Sequence, residues 1–315
     1  MSASAPAPPT GTIDSTAVGA PVRHWPKRKW RVQMNALVVA LAALAVLSAG
    51  ASGQSMIYSS GQTVAPSFEG WEVKQDGTFD LVFGYLNRNL DEEVDVPIGP
   101  DNSVEPGGPD RGQPTHFLPR RNRYQFRVSV PKDFGNKEVV WTVTTKGKTE
   151  KAYGSLKPDY VIDALLIMKD VGALGTKKIE RDNKAPLVRV EGSTNRTVKI
   201  GERLTLTAFA SDDGVPGPKP VPPRYPVTAN ALGLRVAWFV YRGAGAVAFN
   251  PEQFKVYTDY RSNSPWTPGW GPPPVPADGR FPVDVTFGAP GTYVLRVMAH
   301  DGGLMSTRDV TVTVN

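Results

Sequence analysis

The sequence predicts an all-β protein built as two β-sandwich domains behind an N-terminal signal or anchor segment. Three observations lead there. Glycine (31 residues) and proline (30) each supply about a tenth of the 315 residues, well above ordinary usage. Apolar residues alternate with period two in short runs bounded by turn residues, and helix-periodic stretches are scarce. Hydrophobic residues make up 40% of the chain, enough for two ordinary cores and too much for wholesale disorder.

Residues 1–21 run through Ala5-Pro6-Ala7-Pro8-Pro9 and are rich in Ala, Pro, Ser, Thr and Gly, which cannot bury enough surface to order themselves. The basic stretch Arg23-His24-Trp25-Pro26-Lys27-Arg28-Lys29-Trp30-Arg31 precedes the apolar run Ala36 to Ala49. This is the charge order of an export signal: residues 1–35 are the leader and basic region, and 36–51 the apolar region. Ala49-Gly50-Ala51 has small residues at the spacing a signal peptidase reads. Cleavage after Ala51 and retention as a membrane anchor are both open, and membrane contact is expected only through residues 23–51, in the second case. Either way the remainder is expected outside the cytoplasm. The chain has no cysteine, so disulfides, thiol nucleophiles and cysteine-held zinc are excluded, a pattern that suits an exported bacterial protein.

The net charge of +6 divides unevenly: residues 1–51 hold 5 basic and 1 acidic, 52–181 hold 17 and 18, and 182–315 hold 14 and 11. Neither later segment has the dense basic field that a phosphate backbone requires, so nucleic acid is not an expected partner.

The first domain, 66–181, opens with Phe68 to Val73 and Thr78 to Leu86 around the hairpin turn Gln75-Asp76-Gly77. Further strands are expected at Val94 to Ile98, Tyr124 to Val130 and Val139 to Thr144, the last turning at Lys146-Gly147-Lys148 into Lys151 to Leu156. Trp71 and Trp141 are expected in the core. Arg121, Arg123 and Arg127 are expected on one side of a strand whose other side carries Tyr124, Phe126 and Val128, their charge offset by neighbouring carboxylates. The acidic run Asp91-Glu92-Glu93-Val94-Asp95 reads as a solvated turn. Pro97 to Arg120 reads as a long unstructured loop, either a functional loop or an insertion. Residues 159–171 suit a short helix or a buried strand equally. This half resembles no family whose function carries over.

The second domain, 185–315, places strands at Thr197 to Ala208 (two), Leu234 to Val240, Val283 to Phe287, Val294 to Gly303 and Asp309 to Asn315, with Trp238 as the central core residue. With the turn Pro290-Gly291-Thr292-Tyr293 and the closing Asp301-Gly302, this succession resembles the PKD and cadherin-like family of immunoglobulin-type sandwiches. Val297, Ala299, Asp301 and Gly303 resemble the cadherin Val-x-Ala-x-Asp-x-Gly strand. The PKD stretch Trp-Asp-Phe-Gly-Asp-Gly is absent, since Trp238 is followed by Phe239-Val240-Tyr241-Arg242. Lys184 stands inside Asp182-Asn183-Lys184-Ala185-Pro186, where the resemblance would place a calcium linker.

In such a sandwich the loops after the second and sixth strands share one pole. Val215 to Leu232, Asp259 to Arg280 and His300 to Met305 are therefore expected to meet, with Asp212, Asp213 and Asp301 close together. Clustered carboxylates are what calcium, with roughly six to eight oxygen ligands, requires, and these three residues are the candidate metal ligands. The alternative is that they cap turns. Trp266 and Trp270, in Trp266-Thr267-Pro268-Gly269-Trp270, are the candidate partner surface, either an aromatic platform for a protein or glycan or a minor core folded over the sandwich end. No nucleophile–base pair, zinc motif or phosphate loop is visible. The expected function is a non-catalytic binding, adhesion or structural module of the cell envelope. The alternative is an accessory protein of carbohydrate-active or other hydrolases, with carboxylates facing each other in a deep pocket.

Overall fold

The computed structural model describes residues 58–170, 182–223 and 230–315, and residues 57–315 form one compact unit. The leader, basic stretch and apolar run expected over residues 1–51 lie outside the described residues. Among the described residues no helix is long and apolar enough to cross a membrane.

Among the described residues the regular structure is nearly all strand, packed around two main hydrophobic cores. In the first half, β1 (Val64–Val73) and β2 (Phe79–Asn87) form the expected hairpin. Asp76 fixes the turn by accepting the backbone N–H and hydroxyl of Thr78 at 2.9 and 2.6 Å. Then come the ribbon strand β3 (Val94–Asp95), β4 (Asn102–Glu105), β5 (His116–Phe117), β6 (Arg120–Val130), β7 (Val139–Thr145) and β8 (Lys148–Gly154). One sheet has the order β1-β2-β6 and faces another of order β4-β7-β8, while β3 and β5 pair with each other. Leu81, Phe83 and Tyr85 from the first sheet pack on Val104, Trp141 and Val143 from the second. Trp141 is fully buried and meets Phe126 edge-on at 4.9 Å. Trp71 stays half-buried at the margin, its N–H donated to the Lys157 carbonyl at 2.8 Å.

Two expectations are corrected here. The segment from Pro97 to Arg120 is not an unstructured loop, because β4 and β5 lie within it. Asn102, fully buried, donates to the Val96 and Pro114 carbonyls at 2.9 and 2.8 Å and accepts the Trp141 N–H at 3.0 Å. A single side chain thus replaces the period-two signal that the proline- and glycine-rich sequence lacks. Tyr124 does not share the core with Phe126 and Val128. The pairing jumps from Tyr85↔Asn122 to Phe83↔Phe126, so Arg123, Tyr124 and Gln125 bulge against the single residue Gly84. Gly84 has no room for a Cβ, which would meet Glu69 Oε1 and the Asn122 carbonyl. The bulge carries Tyr124 out of the first core and into the joint between the halves.

In the second half β9 (Leu187–Val190), β10 (Asn195–Val198), β11 (Leu204–Ser211), β12 (Arg235–Arg242), β13 (Val247–Asn250), β14 (Arg280–Phe287), β15 (Gly291–His300) and β16 (Met305–Val314) form sheets of order β13-β14-β11-β9 and β10-β16-β15-β12. This is the immunoglobulin-type arrangement, with β10 parallel to β16. Trp238 is buried at the centre as expected. Tyr293 is buried with its hydroxyl donated among the Ala244 and Ala289 carbonyls at 3.0 and 2.9 Å, which ties the Pro290-Gly291 turn to the opposite loop.

The ambiguous segment after β8 is helix α1 (Ala164–Asp170), begun by Asp163, whose carboxylate accepts the Leu166 N–H at 2.8 Å. Its Ile167 and Met168 join Val82, Tyr124 and Ile162 of the first half and Leu304 of the second in one buried cluster. Leu118 forms another with Phe239, Tyr241 and Met298. Between them the backbone N–H of Thr115 donates to the Tyr241 carbonyl at 3.2 Å, so the first half continues the edge of β12. Arginines close the rim. Arg242 binds Asp110 through both Nη atoms at 3.0 and 2.8 Å and the Gln113 carbonyl through Nε at 2.8 Å. Arg296 donates to the Gln125 carbonyl at 2.6 Å, and Arg261 reaches Asp91 at 2.6 Å.

Candidate functional site at the loop pole

The three segments expected to meet do so at one end of the second sandwich. Val221 and Trp270 are joined by an N–H to carbonyl bond of 2.9 Å, and Ala231 donates to the Pro265 carbonyl at 2.7 Å. Asn230 reaches the Gly302 carbonyl at 3.1 Å. Gly302 holds φ +104°, and a Cβ there would fall 2.7 Å from the Ala231 carbonyl oxygen, so only glycine permits this approach. Residues 224–229 of the first segment lie outside the described residues.

The three aspartates play different parts. Asp213 is turned outward and caps its turn, accepting the N–H groups of Lys184 and Val215 at 3.2 and 2.9 Å. Asp212 accepts the Gly214 N–H through one oxygen at 3.0 Å, while its other oxygen is buried with no donor. Asp301 is fully buried: Oδ1 accepts the N–H groups of Gly303 and Leu304 at 2.5 and 2.7 Å, and Oδ2 has no partner. Burial first, then the charges of Asp301 and Asp213, lift the Asp212 carboxyl to about 6 against the Gly214 N–H, which lowers it. Burial likewise raises Asp301. Among the described residues no three His, Asp or Glu side chains converge as metal ligands would. Asn183 Oδ1 and Asn230 Oδ1 are also buried and without donors, and the Asn183 side chain hydrogen-bonds Asp301, lowering its carboxyl against the effect of burial.

Sequence reasoning missed the cation at this pole. Arg235, at the start of β12, is fully buried; it donates to the Ala231 carbonyl at 2.7 Å and lies 3.4 Å from His300 Nδ1. Burial lowers its pKa to about 10 and the Asp301 charge works against that. His300 Nδ1 accepts the Gly302 N–H at 2.8 Å, and burial, followed by the Arg235 charge, holds the imidazole neutral, well below its usual range. In the sequence Arg235 is one polar residue in an alternating strand, with nothing to mark it as interior.

Trp266 and Trp270 are both half-buried. Trp270 packs edge-on against Phe254 at 5.3 Å. Not signalled in the sequence, a groove of about 720 Å³ opens over the ends of β9 and β11, walled by Pro216, Pro218 and the 275–279 turn.

The acidic run of the first half is exposed at Asp91, Glu93 and Asp95, as expected, and its carboxylates are paired. Asp91 pairs with Arg261, and Glu92 with Lys146. Glu93 and Asp95 grip His116 at 3.0 and 2.7 Å. The arginine stripe is offset as expected, with Arg121 on Glu69 and Arg127 on Glu72.

No family model matches the chain, and no curated protein matches it. Among solved structures it is similar to domains 4 and 5 of the S-layer protein SbsC, with 14% identity, TM-score 0.23, and 57% of this chain and 65% of that one covered. Chimeric titin Z1Z2 gives 11% identity, TM-score 0.22, and 81% and 99% coverage. The N-terminal eight Ig domains of Down Syndrome Cell Adhesion Molecule give 12%, 0.21, and 80% and 27%. The chain spans 65% of the first of these and 28% of a longer SbsC structure. TM-scores of this size do not establish a shared fold along the chain, and the immunoglobulin-type description rests on the strand order itself.

Proposed function

We propose that this chain is a non-catalytic structural module of the cell envelope or extracellular space, a rigid double sandwich that presents its loop pole for protein or glycan contact. The observation that carries this reading is the joint, where two buried clusters, a strand-edge hydrogen bond and the Arg242 and Arg296 bridges join the halves. A module that works by domain closure would not be built with a joint of this kind, since relative motion would break all of these contacts together. The half-buried Trp266 and Trp270 favour a spacer over an aromatic binding platform. Asp301 is sealed from solvent, so Asp212 and Asp301 do not act as carboxylates facing each other across an open pocket. The charge order of residues 23–51 supports export.

Because the chain lacks cysteine, a pair introduced at exposed Lys148 and Glu202 can carry spin labels without background. A single narrow distance distribution is expected, broadened by Arg242→Ala. A broad distribution in the parent protein would show hinged halves and end the rigid-module reading.

We further propose that calcium is held at the pole by Asp212 and Asp301, with amide oxygens of Asn183 and Asn230, since buried acceptors without donors call for a positive partner. A ligand that binds only the native state raises its unfolding midpoint. Calcium should raise the midpoint relative to chelator, and Asp212→Ala and Asp301→Ala should each abolish the rise. No shift in the parent protein would remove calcium from the reading and leave the rigid module untouched.

A further inference from the structure

Beyond the structural role, we infer that Asn195 is a glycosylation site, its carboxamide carrying an oligosaccharide received outside the cytoplasm. Asn195-Arg196-Thr197 is the one place in the sequence where asparagine is followed two residues later by Ser or Thr with no proline between, the pattern that glycan transfer to asparagine requires. The inference rests on the export reading, because this acceptor pattern is used in secreted chains. The structure supplies what the pattern alone does not. Asn87, Asn89, Asn102 and Asn122 are buried and spend their carboxamides on backbone carbonyls. Asn195 is exposed, and among the described residues its carboxamide meets no partner.

Asn195 ends a run of exposed residues, 191–195, and opens β10, the outermost strand of its sheet. Ser193 fixes the turn: its hydroxyl accepts the Asn195 N–H at 3.1 Å and donates to the Asn195 carbonyl at 2.9 Å. Arg196 is drawn back to the Glu191 carbonyl at 2.6 Å. Side chains two residues apart in a strand share a face, so Asn195 and Thr197 stand exposed side by side, the amide and the hydroxyl of the pattern together. The parallel register sets Thr311 beside Asn195 and Thr313 beside Thr197, and Thr292 pairs with Thr313 on the next strand. The hydroxyls of Thr197, Thr292, Thr311 and Thr313 meet no partner among the described residues, so the first sugars lie on a surface of uncharged hydroxyls. A glycan there also screens the free edge of β10, the kind of edge that otherwise recruits strands from other molecules. In the transfer Asn195 Nδ2 attacks the anomeric carbon of an oligosaccharide carried on a polyprenyl pyrophosphate. The new C–N bond replaces the C–O bond, the lipid pyrophosphate leaves with the bonding pair, and one amide proton passes to a base of the transferase.

The test is mass spectrometry of proteolytic peptides spanning residue 195, from the full chain isolated from the cells that make it, with the N-terminal residue of the same sample read in parallel. Those peptides should carry hexose or hexosamine mass. Asn195→Gln and Thr197→Ala should each remove it completely, and Thr197→Ser should keep it. All of these replace exposed side chains, and sugar lost in Thr197→Ala but kept in Thr197→Ser reports the hydroxyl rather than misfolding. Mass that survives Asn195→Gln or Thr197→Ala, as sugar on Ser193 or Thr194 would, overturns the assignment. Bare Asn195 in a chain cut after Ala51 or recovered with the membrane overturns the glycan and leaves export standing. Bare Asn195 in a cytoplasmic chain that keeps its first residues removes both.

Discussion

Replacing Arg296 by methionine tests the joint most directly. Arg296 is a β15 residue, 8% exposed, yet its partners come from both halves. It binds Asp309 through Nε and Nη2 at 2.7 and 2.8 Å, donates through Nη1 to the Gln125 carbonyl of the β6 bulge at 2.6 Å, and stacks 3.4 Å over Tyr241. Methionine keeps much of the apolar stem and removes every polar contact. The charge-assisted bond to Gln125 accounts for about 1.5–3 kcal/mol and the stacked cation for about 0.5–2. Asp309 is 39% exposed and rehydrates when left alone, so the ion pair adds at most about 1 kcal/mol. Methionine recovers roughly 1 kcal/mol through its own burial, leaving a net loss of about 1–5 kcal/mol. At about 2–4 °C per kcal/mol, the unfolding midpoint should fall by roughly 2–20 °C. Calorimetry should show the parent unfolding in one transition and the variant starting to separate into two. Asp309→Asn, which leaves the bond to Gln125, should cost less than about 1 kcal/mol. A loss under about 0.5 kcal/mol in Arg296→Met, or two transitions in the parent, would refute the claim that this bridge couples the cores.

Further expectations follow from buried polar groups. Burial alone would depress His116, but the hydrogen bonds to Asp95 and Glu93 outweigh it and raise its pKa to about 9. Because the folded value lies above the unfolded one, this contribution is complete below about pH 6.5 and is lost as pH rises through about 9; His116→Gln should flatten that part of the stability profile. Asp212, raised to about 6, works the opposite way for a carboxylate: stability falls as pH climbs from about 4 to 6. In chelator at pH 7, Asp212→Asn should therefore be neutral or stabilising, and a marked loss by denaturant titration would contradict the picture of a crowded, uncompensated carboxylate. The buried Tyr85 hydroxyl accepts the Leu118 N–H at 2.9 Å, so Tyr85→Phe leaves a buried donor unpaired and should cost about 1–3 kcal/mol in the same titration.

Where two carboxylates with orphaned oxygens sit near one buried arginine, the balance of charge decides what the pole can hold. Burial raises the Asp301 carboxyl more than the Arg235 charge lowers it, so Asp301 as well as Asp212 stands above the ordinary carboxylate range.

The sequence by itself determined the class and much of the strand order. Period-two alternation and turn chemistry are local, so the β1–β2 hairpin at Asp76, the β7–β8 turn at Lys146-Gly147 and the Trp238 strand could be read from it, while the meeting of three loops at one pole followed from the resemblance to immunoglobulin-type sandwiches. Tertiary structure alone decided the rest. Asn102 orders the 97–120 segment through partners at residues 96, 114 and 141, and the Arg123-Tyr124-Gln125 bulge sends Tyr124 to a different core. The acidic run at 91–95 becomes part of the joint because Arg261 lies 170 residues further along the chain from Asp91. Arg235 and Arg189 look alike in sequence, yet one is sealed in the pole and the other stands unpaired over Phe209. A local pattern records which face a side chain takes on its own strand; it carries no record of which distant surface closes over that face.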